Sequence, residues 1–120
     1  MVQIVEMDKN ITLKEQLEED VGSVILFNQY TVKLEDIDKF LKQFAAVTEA
    51  FKQQPGYISA QLYRGIGGSS TFFNIAVFES AGHLKQAFTK PEVRSSLGDL
   101  DTVASPHLFR KVAVPGICVE

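Results

Sequence analysis

Two segments, SVILFNQY (residues 23–30) and FFNIAVFES (residues 72–80), are apolar on both alternations of an extended chain. A strand apolar on one face can lie against water, but one apolar on both has to be covered twice. Each run also carries one asparagine in its interior, Asn28 and Asn74. A buried amide left without a hydrogen-bond partner costs roughly 1–3 kcal/mol. Backbone, another side chain, an ordered water or a ligand must therefore satisfy each of them.

Between these strands the apolar period changes. Ile37, Leu41, Phe44, Ala45, Thr48 and Phe51 form a helical stripe beginning after Leu34, and Pro55-Gly56 stops it. Glu35, Asp36 and Asp38 fall in the first turns, where the helix dipole favours negative charge. YISAQLYR (residues 57–64) is a second strand, joined by Gly65-Ile66-Gly67-Gly68-Ser69-Ser70 to a third at residues 71–79, so the two make a hairpin. Ser80 is placed to cap a second helix with Leu84, Ala87 and Phe88 inward. Pro91 opens a continuing segment with Val93 and Leu97, which Gly98 ends. A polar loop leads to a fourth strand, residues 107–114, closed by Pro115-Gly116.

The order β-α-β-β-α-β predicts an α+β, ferredoxin-like domain with a four-stranded antiparallel sheet. Two helices cover one face of such a sheet. Ile25, Phe27, Phe73, Ile75 and Val77 leave the other face apolar, so the expected partner is a second copy, the two sheets packed face to face as a homodimer. The expected division is an N-terminal arm at residues 1–21, the domain at 22–116 and a tail at 117–120. Within the arm, Val2, Ile4 and Met7 fit a short strand, and Thr12 with Glu15 forms a capping box before a short helix bearing Leu13 and Leu17. The arm reads as docked, against its own chain or against the partner.

At 120 residues the chain suits one domain, and 45% hydrophobic with 22% charged residues is a folding composition. The net charge of −3 is concentrated at the start, where six acidic residues face Lys9 and Lys14 within the first twenty. No basic stripe is present, so nucleic acid and anionic membrane surfaces are not expected partners. The opening MVQIVEMDKN lacks a basic and then apolar leader pattern, and no apolar run reaches the ~18 residues that a span needs. The expected location is the cytoplasm. The single cysteine, Cys118, excludes an intrachain disulfide and any multi-cysteine metal site.

QQPGYISAQLYRGIGGSSTFFNIAVFES, followed by AFTKPEVRSSL and ASPHLFRKVAVPG, resembles the antibiotic biosynthesis monooxygenase (ABM) family of dimeric α+β barrel proteins over about residues 22–116. That resemblance implies an oxidoreductase, a cofactor-independent monooxygenase of a small aromatic or quinone-like molecule. In such chemistry the deprotonated substrate itself reduces O₂, and the protein supplies orientation, an apolar pocket and polar contacts. The family pattern places an asparagine on the first strand and a tryptophan near the end of the third, which here are Asn28 and Phe78. The chain has no tryptophan, so Phe78 can stack on a ligand but offers no N–H donor. The haem-degrading branch of the family needs a histidine near Leu97-Gly98, where this chain has none.

The candidate catalytic residues are thus Asn28 and His107, the latter a base for a phenolic proton if it reaches the cavity. The candidate substrate contacts are Tyr30, Phe72, Asn74 and Phe78, since alternate residues of a strand share a face. No metal ligand set and no cofactor are expected. For each residue an ordinary role stands beside the functional one: the amides pair within the fold, His107 makes a strand-end hydrogen bond, and His83 helps to cap the second helix. Tyr57 and Tyr63 share one alternation and read as sheet-face packing, while Arg64 reads as solvated. Asp99 and Asp101 read as loop residues. The alternatives to an enzyme are a non-catalytic binder of a hydrophobic molecule and a structural dimer whose cavity is closed.

Overall fold

The computed structural model describes residues 3–97 and 102–118. Val2, assigned above to a short strand, and Gly98, Asp99 and Asp101, assigned to a helix end and a loop, lie outside the described residues. The elements are β1 (Gln3–Ile4), α1 (Leu13–Gln16), β2 (Val24–Val32), a single 3₁₀ turn (Leu34–Asp36), α2 (Ile37–Lys52), β3 (Tyr57–Arg64), β4 (Thr71–Phe78), α3 (Ala81–Thr89), α4 (Pro91–Ser96) and β5 (Thr102–Phe109). The β-α-β-β-α-β core is present, but the sheet is not four-stranded and wholly antiparallel. It has five strands in the order β1-β5-β2-β4-β3, and β1 runs parallel to β5. The arm supplies the extra strand by pairing with its own chain, through the Val5 N–H bonded to the Ala104 carbonyl at 2.8 Å.

The last strand is also displaced from its predicted span of 107–114, starting earlier, at Thr102, and ending earlier, at Phe109. Pro106 concealed it, because proline argues against a strand interior. Here it does no harm. Ala104 turns its carbonyl outward to Val5, and Leu108 turns its N–H and C=O outward to the Gln16 side chain. Pro106, halfway between them, shares that outer edge, so its missing N–H costs the β2–β5 ladder nothing.

The helices cover the face that carries Val24, Leu26, Asn28, Tyr30 and Val32. On α2 the inward stripe is one residue out of the predicted phase at its start: Phe40 is 3% exposed, whereas Leu41 is 41% exposed. Tyr57 and Tyr63 do not share a face. A β-bulge between Tyr57 and Ser59 inserts Ile58 and reverses the alternation. Tyr57 therefore meets the Phe78 ring on the helix side at 5.8 Å, and Tyr63 stacks on Phe73 on the opposite side at 4.8 Å. Arg64 is anchored, its Nε donating to the Ser69 carbonyl at 2.7 Å and its guanidinium lying 5.5 Å from the Phe72 ring centre.

The arm's capping box forms as predicted, with the Glu15 N–H donating to Thr12 Oγ1 and the Thr12 N–H to Glu15 Oε1. Ser80 caps α3: its Oγ accepts the His83 N–H at 3.1 Å and lies 2.7 Å from His83 Nδ1. The cap is wedged against the turn after α2, where Gly56 has φ +87° and an added Cβ would stand 2.4 Å from the His83 ring. Gly56→Ala is therefore expected to cost about 2–3 kcal/mol, from the left-handed backbone and the overlap together. Urea denaturation measures this, and a loss under 1 kcal/mol would show that His83 moves aside freely. No helix among the described residues is long and apolar enough to cross a membrane.

Candidate functional site

Asn28 and Asn74 stand directly opposite each other in the β2–β4 register, both on the helix-covered face. They divide the core. On one side lies a cluster built from Val24, Leu26, Ala76, Phe78, Leu84 and Leu108. On the other lies a cluster of Val32, Phe40 and Phe72, with Tyr30 and Leu62 against it. The strands dictate this arrangement, since Val24, Leu26, Asn28, Tyr30 and Val32 are successive same-face residues of β2, and Phe78, Ala76, Asn74 and Phe72 answer them on β4.

Asn28 donates through Nδ2 to the Tyr30 hydroxyl oxygen at 3.0 Å. Its Oδ1 is buried without a partner, and so is Asn74 Oδ1. Most buried polar side-chain atoms have a partner, so two unpartnered oxygens side by side on an apolar face ask for a reason. Burial pushes the Tyr30 hydroxyl up to about 12, against a smaller lowering from the Asn28 hydrogen bond. Tyr30 is consequently a neutral hydroxyl at ordinary pH and not a base.

The sign of its effect on stability follows. The unfolded chain loses this proton near pH 10 and the folded one near 12. The contribution of neutral Tyr30 is complete below pH 10 and drains away as the pH climbs towards 12, by about 2–3 kcal/mol in all. Tyr30→Phe is expected to flatten the stability profile in that alkaline window, which chemical denaturation at pH 9 to 11.5 tests.

Beside Asn74 a cavity of about 40 Å³ lies between the sheet and α2, walled by Leu26, Phe44, Thr48, Phe51, Tyr57 and Phe78 among others. It has room for one or a few waters but not for an aromatic ligand. Phe78, 1% exposed, meets Phe51 and Tyr57 edge to face at 5.9 and 5.8 Å. Phe72 and Tyr30 pack instead with Phe40, at 4.9 and 5.0 Å. Phe72 and Phe78 are thus about 20 Å apart along β4 and belong to opposite ends of the cleft. The α2 wall of Phe44, Thr48 and Phe51 was legible as a stripe but not as a cavity lining, and Val47 escaped notice.

His107 is not brought together with the asparagines. In the β2–β5 register it faces Phe27, on the opposite side of the sheet, because its parity is that of Phe109. Its ring lies 5.1 Å from that of Phe109. The Gln16 Oε1 accepts the Leu108 N–H at 2.8 Å, which turns Gln16 Nε2 towards both the Leu108 carbonyl at 3.0 Å and His107 Nε2 at 2.9 Å. His107 Nε2 is thereby the acceptor, the proton of the neutral ring sits on Nδ1, and that Nδ1 is buried without a partner. No carboxylate or imidazole among the described residues lines the cavity. Among the described residues no group of three His, Cys, Asp or Glu side chains could hold a metal ion.

The uncovered face bears a row of rings. Tyr63 stacks on Phe73, Phe73 on Phe27 at 5.1 Å, and Phe27 meets Phe109 edge to face at 6.0 Å. Ile25, Ile75 and Val77 extend it, all half-buried.

The described fold is similar to SnoaB, a cofactor-independent oxygenase from Streptomyces nogalater, with a TM-score of 0.66 and 22% identity over 80% of this chain and 99% of that one. It is similar also to an inferred monooxygenase from Shewanella loihica PV-4, with a TM-score of 0.67 and 26% identity over 78% and 99%. A conserved protein from Methanosarcina mazei Go1 superposes with a TM-score of 0.66 at 17% identity, over 76% and 94%. No match is found among curated proteins. The model of the antibiotic biosynthesis monooxygenase family matches residues 23–96, which is most of the chain, and the protein belongs to that family.

Proposed function

We propose that the protein is a cofactor-independent monooxygenase of a small hydroxylated aromatic or quinone-like substrate, bound between the sheet and α2 against Asn28 and Asn74. The observation that carries this reading is the facing pair of amides whose buried oxygens have no partner, Asn74 lining the mostly apolar cleft and Asn28 opposite it on β2. An amide presents either a donor or an acceptor by a half-turn, so the pair can hold a hydroxyl before ionisation and an oxyanion after it. Tyr30 fixes Asn28, and Phe78 supplies a ring for stacking.

The electrons come from the substrate. An ionised anthrone or similar hydroxyarene adds O₂ at carbon to give a hydroperoxide, and loss of water leaves a carbonyl. One oxygen atom is kept and the other departs as water. With no base lining the cavity among the described residues and Tyr30 held neutral, the substrate has to be acidic enough to ionise to solvent. Oxygen uptake with hydroxylated naphthalenes and anthracenes tests the reading: the wild type is expected to consume O₂ and Asn28→Ala to lose at least about tenfold in rate, a loss near 1.4 kcal/mol. The absence of both uptake and binding with all of them would remove the proposal.

A second reading, a non-catalytic binder of a hydrophobic molecule, is favoured by the absence of His107 from this face and by Phe78 in place of an indole. Saturable binding without O₂ consumption identifies it. In either case we infer a homodimer closed over the Tyr63, Phe73, Phe27 and Phe109 row, because a continuous aromatic face of this kind is an interface by its chemistry.

A further inference from the structure

The arm precedes the family match, and its contacts give it a role. Gln16 behaves as a strand residue on the β5 edge, accepting from and donating to the backbone of Leu108 and reaching His107 with its second amide hydrogen. Glu18 pairs with Lys85 on α3. At its start the arm is anchored as β1 on β5, with the Val5 N–H donating to the Ala104 carbonyl and Ser105 Oγ to the Val5 carbonyl. Between that anchor and β2 no residue of the four-residue α1 is buried, and Leu13, Leu17 and Val21 lie partly buried on the Val24, Leu26 and Leu108 cluster. A single turn of helix has no stability of its own.

A groove of about 270 Å³ runs between the arm and the sheet, lined by Gln16, Val21, Val24 and Leu108 among others. No described residue lines both this groove and the 40 Å³ cavity beside Asn74, but their linings are neighbours in the sheet. In the strand registers Val24 of the groove stands opposite Phe78 of the cavity, and Leu108 of the groove opposite Leu26 of the cavity. A site for an aromatic ligand needs upwards of about 300 Å³. The cavity alone falls far short, and the groove is where the missing volume lies.

We propose that the arm is a strap over the ligand site, latched at Gln16, and that lifting it joins groove and cavity past Leu26 to admit the ligand. This rests on the cleft being the ligand site, as proposed above. In the latched state the site is shut, so ligand entry waits on arm opening, and the polar latch sets its rate. Gln16 is a positioning residue that acts through the arm and touches no substrate.

The test uses full-length protein and 1-naphthol, followed by its fluorescence in stopped flow. Gln16→Leu keeps the side chain's bulk but cannot pair with the Leu108 backbone. It is expected to raise the association rate of 1-naphthol at least tenfold and to speed hydrogen exchange at Leu17. Lys85→Glu, which sets a like charge against Glu18 at the other hold, is expected to act in the same direction and guards against misfolding of the first variant. Ala60→Phe, which fills the cavity, is expected to abolish the binding. An association rate unchanged in both latch variants, while Ala60→Phe still blocks binding, overturns the strap and leaves the ligand site standing. Binding indifferent to Ala60→Phe overturns the site reading and the strap with it.

Discussion

Asn74→Leu is expected to make the protein more stable, by about 1–3 kcal/mol, and at the same time to remove at least nine-tenths of its O₂-dependent turnover. The stability gain follows because Asn74 Oδ1 is buried with no partner, so the native fold bears the desolvation penalty of that oxygen without recovering it. Leucine is of similar size, continues the apolar surface between the two core clusters, and has the adjoining cavity to accommodate its extra bulk. The loss of turnover follows if the amide exists to orient a substrate oxygen, since that contact is worth at least the ~1.4 kcal/mol of a tenfold rate change. Urea denaturation and oxygen uptake on one preparation decide both halves. A variant destabilised by more than 1 kcal/mol would mean that the oxygen has a structural partner in the assembled protein. Sites that trade stability for activity show this opposition of signs, whereas a core hydrogen-bonder shows loss in both.

The second large effect concerns assembly. Ile75 stands opposite Phe27 on the face that the helices leave uncovered, between Phe73 and Val77 on the same side of β4. Ile75→Asp leaves the chain able to fold, because in the single subunit this side chain is only half-buried and the new carboxylate can stay wet. In a face-to-face dimer the same carboxylate would be buried without a partner, at about 3–5 kcal/mol. Self-association is therefore expected to weaken by a hundredfold or more. Sedimentation velocity at micromolar concentration gives the answer, and a wild type that runs as a monomer there ends the dimer proposal. Unchanged association of Ile75→Asp beside a dimeric wild type would move the interface elsewhere.

Most of the architecture was legible because it depends on local periodicity. The doubly apolar strands, the hairpin around Gly65-Ile66-Gly67-Gly68, the Ser80 cap and the Thr12–Glu15 capping box are all short-range patterns, and each appears where its residues imply. Asn28 and Asn74 were legible as a pair on one face because both sit on strands whose alternation is unbroken. The resemblance carried by these same strands agrees with the family match over residues 23–96.

What a linear pattern leaves open is register, and register decided the site. The start of β5 was hidden by Pro106, whose missing N–H is harmless only because the arm and the sheet edge lie on that side. One consequence is that His107 faces Phe27 instead of the asparagines, since a strand's parity assigns every side chain on it at once. The bulge at Ile58 parted Tyr57 from Tyr63 in the same way. The seating of the arm was beyond sequence altogether: β1 pairs with β5 about a hundred residues on, and Gln16 meets the Leu108 backbone more than ninety residues away, contacts with no periodicity to betray them. The sequence by itself determined which faces are apolar and which polar groups interrupt them. Only the tertiary structure decided which of those groups meet, because strand pairing and edge contacts are settled between distant segments.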